Sequence, residues 1–251
     1  MGLSLNLATR LSCLCLLALT LLSPAPSRAE FLKLVGWKAA GKGRLNVLVW
    51  RQQLDLQRGF DSYFFDEYEA PANKRLKSSA VALRARDRWL PVGQFEVYLL
   101  EVREAAKRLL KTCQKAGYQM VCDVASVPNG KSAQISFRAG EAELTLSLVR
   151  GPKRDEVVLQ KGENKSYSLV RILPPGGRDA PTVGSRTLVQ GALLHGGRML
   201  AVIVHTQLLP APENCPAESV YFFPLRRATK SLGLPYPLTV ENCVEKEDPW
   251  P

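Results

Sequence analysis

Short apolar runs alternate with turn-forming residues along most of the chain, a pattern that predicts a mainly β protein. The period of two is clearest at 81–89, where Val81 and Leu83 point one way and Arg84 points the other. Glycine, proline and asparagine separate the runs. We therefore predict antiparallel sheets, arranged either as a sandwich or in a propeller-like manner. The predicted strands are 45–50, 62–68, 81–89, 119–124, 133–138, 141–149, 155–160 and 167–173.

One segment has the helical period instead. Apolar residues recur every three or four positions at 95–116, with charged residues between them, and this predicts one amphipathic helix near 95–116. Gly117 stands where a left-handed residue would end that helix. The first turns, 95–100, are rich in β-forming residues and could instead be a strand that leads into the helix. A single short helical turn is predicted at 226–231.

Both histidines of the chain, His195 and His205, lie in the apolar segment 191–205, which Gly196-Gly197 divides in two. Two apolar runs around a Gly-Gly pair predict a β-hairpin with a two-residue turn. Apolar side chains would then occupy both faces of this hairpin. A hairpin of that kind must be covered on both sides, so we predict that it is central and not at a sheet edge.

The register of this hairpin decides whether the histidines can act together. A two-residue turn places Leu194 opposite Met199 and His205 opposite Leu188, so that the two histidines lie about 23 Å apart and on opposite faces. Ligands of one metal ion lie within about 2.1 Å of it. The predicted geometry therefore excludes a shared metal, and we interpret His195 as a polar residue that flanks the turn and His205 as a strand-end residue.

Two hairpins share a Gly-Arg turn that is followed by an apolar strand: Gly43-Arg44 precedes one and Gly197-Arg198 the other. These hairpins resemble those of the β-propeller blades in secreted bacterial proteins of the TolB type, and those of a related family of secreted bacterial proteins of unknown function. The resemblance covers these two hairpins only. It implies a propeller of about five blades, at about 40 residues per blade.

The first 29 residues have the pattern of a secretory signal. An apolar run from Leu11 to Leu22 follows a short basic stretch, and small residues precede a cleavage point after Ala29. The run is shorter than the roughly 20 residues that span a membrane, although an uncleaved anchor is the alternative. We expect residues 30–251 to form a single domain that is secreted or periplasmic and has no transmembrane segment.

Charge indicates the class of partner. Lysine and arginine number 34 against 23 acidic residues. A basic exported protein suits anionic partners such as an envelope glycan or a lipid surface; another protein is also possible as a partner, and the signal makes nucleic acid a poor candidate. The alternative is that the positive charge only maintains solubility.

Positive charge is densest at 74–88. On a strand, the last three cations of this segment would form a row spaced by about 6.6 Å, and guanidinium groups suit the oxyanions of an extended polyanion. The alternative is the solvated face of an edge strand, where charge prevents aggregation. The candidate binding residues are Lys74, Arg75, Lys77, Arg84, Arg86 and Arg88.

Four cysteines follow the predicted signal: Cys113, Cys122, Cys215 and Cys243. An even number in an exported chain predicts two disulfides. Proximity along the chain favours Cys113–Cys122, which would staple the helix to the next strand, together with Cys215–Cys243. No C-x-x-C spacing indicates zinc, and we predict no metal or cofactor.

Two further segments contain residue types that occur in functional sites. Asp61, Asp66, Glu67 and Glu69 could bind calcium or act as paired carboxylates. Strand alternation places Asp66 on the face opposite the other three, which favours a solvated or salt-bridged edge. The glycine-rich stretch 41–44 lacks the phosphate-loop pattern and predicts a turn.

No pattern indicates a catalytic site. We therefore predict an exported binding or structural module without catalytic activity, which contacts anionic polymers through its basic strand. The alternative is a secreted hydrolase whose site is assembled from distant residues. A pocket that brings His195 or His205 together with a carboxylate would favour the hydrolase.

Overall fold

The structure is a computed structural model that describes residues 28–55, 60–85, 92–126, 133–150, 155–172, 183–208 and 217–240. Most of the predicted signal lies outside these residues. The described residues form strands and two helices, so the prediction of a mainly β protein is confirmed. The elements are β1 Arg28–Gly41, β2 Arg44–Asp55, β3 Phe60–Ala70, β4 Lys74–Ala85, α1 Val92–Lys115, β5 Gln119–Met120, β6 Cys122–Ser126, β7 Gln134–Ala139, β8 Ala142–Val149, β9 Asp155–Lys161, β10 Lys165–Ile172, β11 Val183–Leu194, β12 Met199–Leu208, β13 Ala217–Pro224 and α2 Arg226–Leu232.

Three antiparallel sheets contain these strands. The N-terminal sheet has the order β4-β3-β2-β1-β5, the central sheet β13-β12-β11-β6 and the outer sheet β10-β9-β8-β7. Three clusters of buried side chains separate four layers, which follow one another as α1, the N-terminal sheet, the central sheet and the outer sheet with α2. The sheets are therefore stacked face to face, as in a sandwich.

Strand β2 shows how the sequence produces this stacking. Val47 and Val49 face the central sheet, while Leu48 and Trp50 face α1, and all four are buried. Burial of one such aliphatic side chain contributes about 1.5–3 kcal/mol. A strand that is covered on both faces needs apolar residues at consecutive positions, which is why its sequence does not alternate.

Helix α1 covers the opposite face of the N-terminal sheet. It begins at Val92, so the first turns are helical and the strand alternative for 95–100 is wrong. Val102 and Ala106 are buried against the sheet. At its end the N–H of Gly117 donates to the carbonyl of Gln114, and the φ of Gly117 is 88°, as the predicted left-handed cap requires.

The β11–β12 hairpin occupies the middle of the central sheet, as predicted. Leu194 pairs with Met199, and the predicted register continues to Gln190 opposite Ile203. A β-bulge between Leu188 and Gln190 then shifts the pairing by one residue. His205 therefore lies opposite Thr187 and not opposite Leu188.

Candidate functional site

His205 is a buried structural residue and not a strand-end residue as predicted, because β12 continues to Leu208. Its Nδ1 lies 3.4 Å from Oε1 of Glu218, and the side chains of both residues are almost fully buried. The other oxygen of Glu218 accepts the backbone N–H of Leu32 at 2.6 Å. The pair thus satisfies a donor on the edge of β1 that would otherwise be buried without a partner.

A second polar pair does the same one step further along β1. The Gln190 side chain accepts the N–H of Leu34 at 3.0 Å and donates to Asp123 at 2.5 Å. Both pairs therefore join the central sheet to the edge of the N-terminal sheet. This is a sufficient structural role for each of these polar groups.

His195 is the first residue of the hairpin turn and does not flank the turn as predicted. The turn has four residues, 195–198, instead of the two predicted, and the φ of His195 is 55°. Its ring packs edge-on against Trp37 at 5.2 Å. Because a turn residue does not follow strand alternation, His195 contacts the same cluster that His205 faces, so the prediction of opposite faces is wrong.

The acidic cluster divides across the N-terminal sheet, as the alternation predicted. Asp66 has no exposed surface and pairs with Arg51. For this residue the prediction of a solvated edge is therefore wrong, and the prediction of a salt bridge is confirmed. Oδ2 of Asp66 accepts Nε of Arg51 at 2.6 Å and lies 3.4 Å from Nη1 of Arg75, while Oδ1 accepts the Ser78 hydroxyl at 2.5 Å. The Arg51 guanidinium also lies 4.1 Å from the ring centre of Phe64. This network bridges β2, β3 and β4.

Glu67 lies on the opposite face, beneath the end of α1. Its Oε1 accepts the Tyr118 hydroxyl at 2.5 Å and the Asn46 side-chain amide at 2.7 Å. Burial, the hydrogen bond to Glu67 and the charge of Glu67 raise the pKa of Tyr118. Lys38 lies 5.2 Å from the centre of the Tyr118 ring. The side chain of Asp61 is not described.

Cys113 is a free thiol, so the predicted Cys113–Cys122 disulfide is wrong. Cys113 packs in the cluster between α1 and the N-terminal sheet, whereas Cys122 packs between the central and outer sheets. Cys122 is not free, and its bonding partner is not a described cysteine. Cys215 and Cys243 lie outside the described residues.

The Cys113 thiol is not an activated nucleophile. Burial, and after it the charge of Glu67, raises the pKa of Cys113, while Lys77 and Lys38 oppose the rise. A raised pKa lowers the thiolate fraction, and the thiolate is the reactive form. The same charges show that Lys77 of β4 and Lys38 of β1 lie near the last turns of α1.

The basic segment 74–88 falls on β4, which is an edge strand of the N-terminal sheet. Lys74, Arg75 and Lys77 are exposed. A β-bulge in β4, where Leu76 is the extra residue opposite Glu67 and Tyr68, places Lys74 and Lys77 on the α1 side, while Arg75 reaches Asp66 on the other side. For the rest of the predicted row, Arg84 pairs with Asp61 in the ladder although its side chain is not described, and Arg86 and Arg88 lie outside the described residues.

Helix α1 continues this positive charge. Its exposed residues from 103 to 115 include five cations and one acid, Glu104, which pairs with Lys107 at 3.2 Å. Helix α1 is in contact with β4, so the cations of the two elements lie on neighbouring parts of the molecule. We define the basic surface as Lys74, Lys77, Arg103, Lys107, Arg108, Lys111 and Lys115.

A cavity of about 550 Å³ lies where the end of α1 meets the β11–β12 turn and the C-terminal segment. Its described lining contains no charged side chain, and neither His195 nor His205 belongs to it. The arrangement that would favour a hydrolase, a histidine and a carboxylate at one pocket, is therefore not formed by the described residues. The lining residues are Trp37, Gln114, Tyr118, Gln119, Met120, Cys122, Leu193, Gly196, Gly197, Leu238, Thr239 and Val240.

Arg186 forms a buried ion pair between two sheets. Its side chain is 2% exposed, and Nη1 donates to Oδ2 of Asp155 at 2.7 Å, which joins β11 to β9. Within the described part of the chain, Nε and Nη2 of Arg186 have no hydrogen-bond partner. Sequence reasoning missed this pair because its members lie 31 residues apart, on strands of different sheets.

Among the described residues, no group of three or more histidine, cysteine, aspartate or glutamate side chains is placed to hold a metal ion. Neither described helix combines the length and the apolar character needed to cross a membrane. Comparisons with protein-family models, with curated proteins and with solved structures found no match.

Proposed function

We propose that this protein is an exported binding module without catalytic activity, whose basic surface contacts an anionic polymer such as an envelope glycan. The observation that carries the proposal is that edge strand β4, which carries exposed lysines, is in contact with α1, whose exposed face is rich in cations. Several cations on one face attract a polyanion more strongly than the same charges dispersed over the protein. The predicted signal supports an anionic partner outside the cytoplasm.

The chemistry of the surface favours sulfate, phosphate or carboxylate groups that repeat along a chain. Lysine acts as a point charge and needs no fixed ligand geometry. Binding of this kind releases counterions, so the affinity falls steeply as the salt concentration rises. The slope of the logarithm of the affinity against the logarithm of the salt concentration changes by about one for each cation involved.

Heparin, a polysulfated glycan, is a suitable probe. The variant Lys74→Gln/Lys77→Gln/Lys111→Gln removes three charges from the basic surface. The matched control, Arg226→Gln/Arg227→Gln/Lys230→Gln, removes three exposed charges from α2, which packs on the outer sheet at the far side of the layers.

The first variant should elute from heparin at a lower salt concentration than the control, and its salt slope should fall by about three. Equal elution of the two variants would show that only net charge matters, and the proposal would then be abandoned. Circular dichroism of both variants checks that the fold is intact.

A further inference from the structure

We infer that the cavity of about 550 Å³ is a second binding site, which takes a neutral, mainly apolar small molecule that carries a hydrogen-bonding group. Small-molecule sites usually measure about 300–1,000 Å³ and combine apolar walls with a few polar groups. The lining of this site differs in chemistry from the basic surface, and the inferred binding of a small molecule does not depend on polyanion binding.

The walls determine the class of ligand. Trp37, Met120, Leu193, Leu238 and Val240 supply apolar surface, and no charged side chain belongs to the described lining. An ion that entered this space would lose part of its hydration without gaining a counter-charge from the described lining, which is unfavourable. A neutral ligand avoids that cost and gains from burial of apolar area.

The polar groups that remain available lie at the mouth. The Tyr118 hydroxyl is already committed to Glu67. The side chains of Gln114, Gln119 and Thr239 are exposed and offer amide and hydroxyl groups. They can hydrogen-bond the polar group of a ligand whose apolar part lies against the walls.

The rim of the cavity is fixed before any ligand binds. His195, Gly196 and Gly197 have successive positive φ values of 55°, 59° and 80°. The N–H of Leu238 donates to the carbonyl of Gly197 at 3.0 Å, which holds the C-terminal segment against the turn. A preformed site loses little conformational entropy on binding, and such runs of unusual backbone are often found at ligand sites.

N-phenyl-1-naphthylamine, a neutral aromatic amine whose fluorescence rises in apolar surroundings, serves as the probe. Thr239→Trp and Gln119→Trp each place a large side chain at the mouth, from two different segments of the chain. The control Asn164→Trp adds the same side chain at an exposed turn between β9 and β10.

Wild type and Asn164→Trp should bind one probe molecule per chain in a saturable manner. The two mouth variants should bind at least tenfold more weakly while their melting temperatures remain near that of wild type. Absence of saturable binding to wild type would overturn the inference, and so would equal binding by folded mouth variants. The lysine variant of the basic surface should retain full probe binding, which separates this site from the proposed polyanion site.

Discussion

Asp66→Asn should destabilise the protein strongly, because it removes the carboxylate that forms a buried ion pair with the guanidinium of Arg51. Asp66 has no exposed surface, the Arg51 side chain is 9% exposed, and their closest atoms are 2.6 Å apart. Removal of one partner of a buried ion pair costs about 3–5 kcal/mol. Arg75 cannot compensate, since it lies 3.4 Å from the same carboxylate and would lose its own partner.

The control lies on the same two strands. Arg44 and Glu69 are 3.4 Å apart, but their side chains are 50% and 25% exposed. Such exposed pairs contribute about 0.2–1 kcal/mol, so Glu69→Gln should have little effect. The two variants thus compare a buried and an exposed arginine–carboxylate pair on the same two strands.

Urea unfolding followed by circular dichroism measures the difference. With a slope of about 2 kcal/mol per molar urea, Asp66→Asn should lower the midpoint by about 1.5–2.5 M. Arg51→Met combined with Asp66→Leu should recover most of this loss, because apolar residues replace the whole pair. If Asp66→Asn shifted the midpoint no more than Glu69→Gln, the assignment of a buried, energetically coupled pair would be refuted.

Three further predictions concern the backbone, alkaline pH and the cysteines. Gly197→Ala would place Cβ 1.7 Å from a backbone oxygen, so it should lower the melting temperature well beyond Gly196→Ala, whose Cβ meets no atom within 4 Å; equal effects would contradict this contact. Because burial and a hydrogen bond to a carboxylate raise the pKa of Tyr118 from its ordinary value of 10.0, the stability it contributes is complete below about pH 10 and is lost at higher pH. Wild type should therefore lose more stability than Tyr118→Phe between about pH 9 and pH 11, and parallel unfolding curves would argue against it. Cys122 and Val240 line the same cavity, and Cys243 follows Val240 closely along the chain. Mapping of unreduced peptides should therefore find Cys122 joined to Cys243, and any other partner would disprove that pairing.

The parts of the fold that follow from local pattern were predictable. Helix α1 carries a clear helical period, and the β11–β12 hairpin consists of two apolar runs around a Gly-Gly pair, whose apolar character on both faces placed it correctly at the centre. The bulge beside Val189 was not predictable, because nothing in the local sequence marks an extra residue there. One inserted residue changed the partner of His205.

Strands β1 and β13 were missed for a different reason. Strand β13 carries Glu218 at a buried position, where its carboxylate accepts a backbone N–H of β1. A pattern of apolar and polar residues treats such a position as exposed. Local sequence therefore underestimates strands whose polar side chains satisfy the backbone of another sheet.

The candidate site was less predictable than the fold. Alternation correctly separated Asp66 from Glu67, but it could not show that α1 and the central sheet cover the two faces of the strand that carries them. The cavity assembles segments that are distant along the chain, from Trp37 to Val240. Its shape depends on how the N-terminal sheet, the central sheet, α1 and the C-terminal segment meet, and no local pattern carries that information.

The position of the central sheet strands along the chain also determines when the N-terminal sheet can be covered on both faces during synthesis. Strands β1–β4 form one contiguous stretch, and α1 follows directly to cover one of their faces. Apart from the short strand β6, the central sheet that covers the other face begins at Val183, about a hundred residues after β4, which at 5–20 residues per second means a delay of about 5–20 s in synthesis. The hydrogen bond from Leu32 to Glu218 spans 186 residues of chain. The N-terminal sheet is thus synthesised first but covered late. Its apolar face toward the central sheet remains exposed, and able to aggregate, until the C-terminal strands have been synthesised.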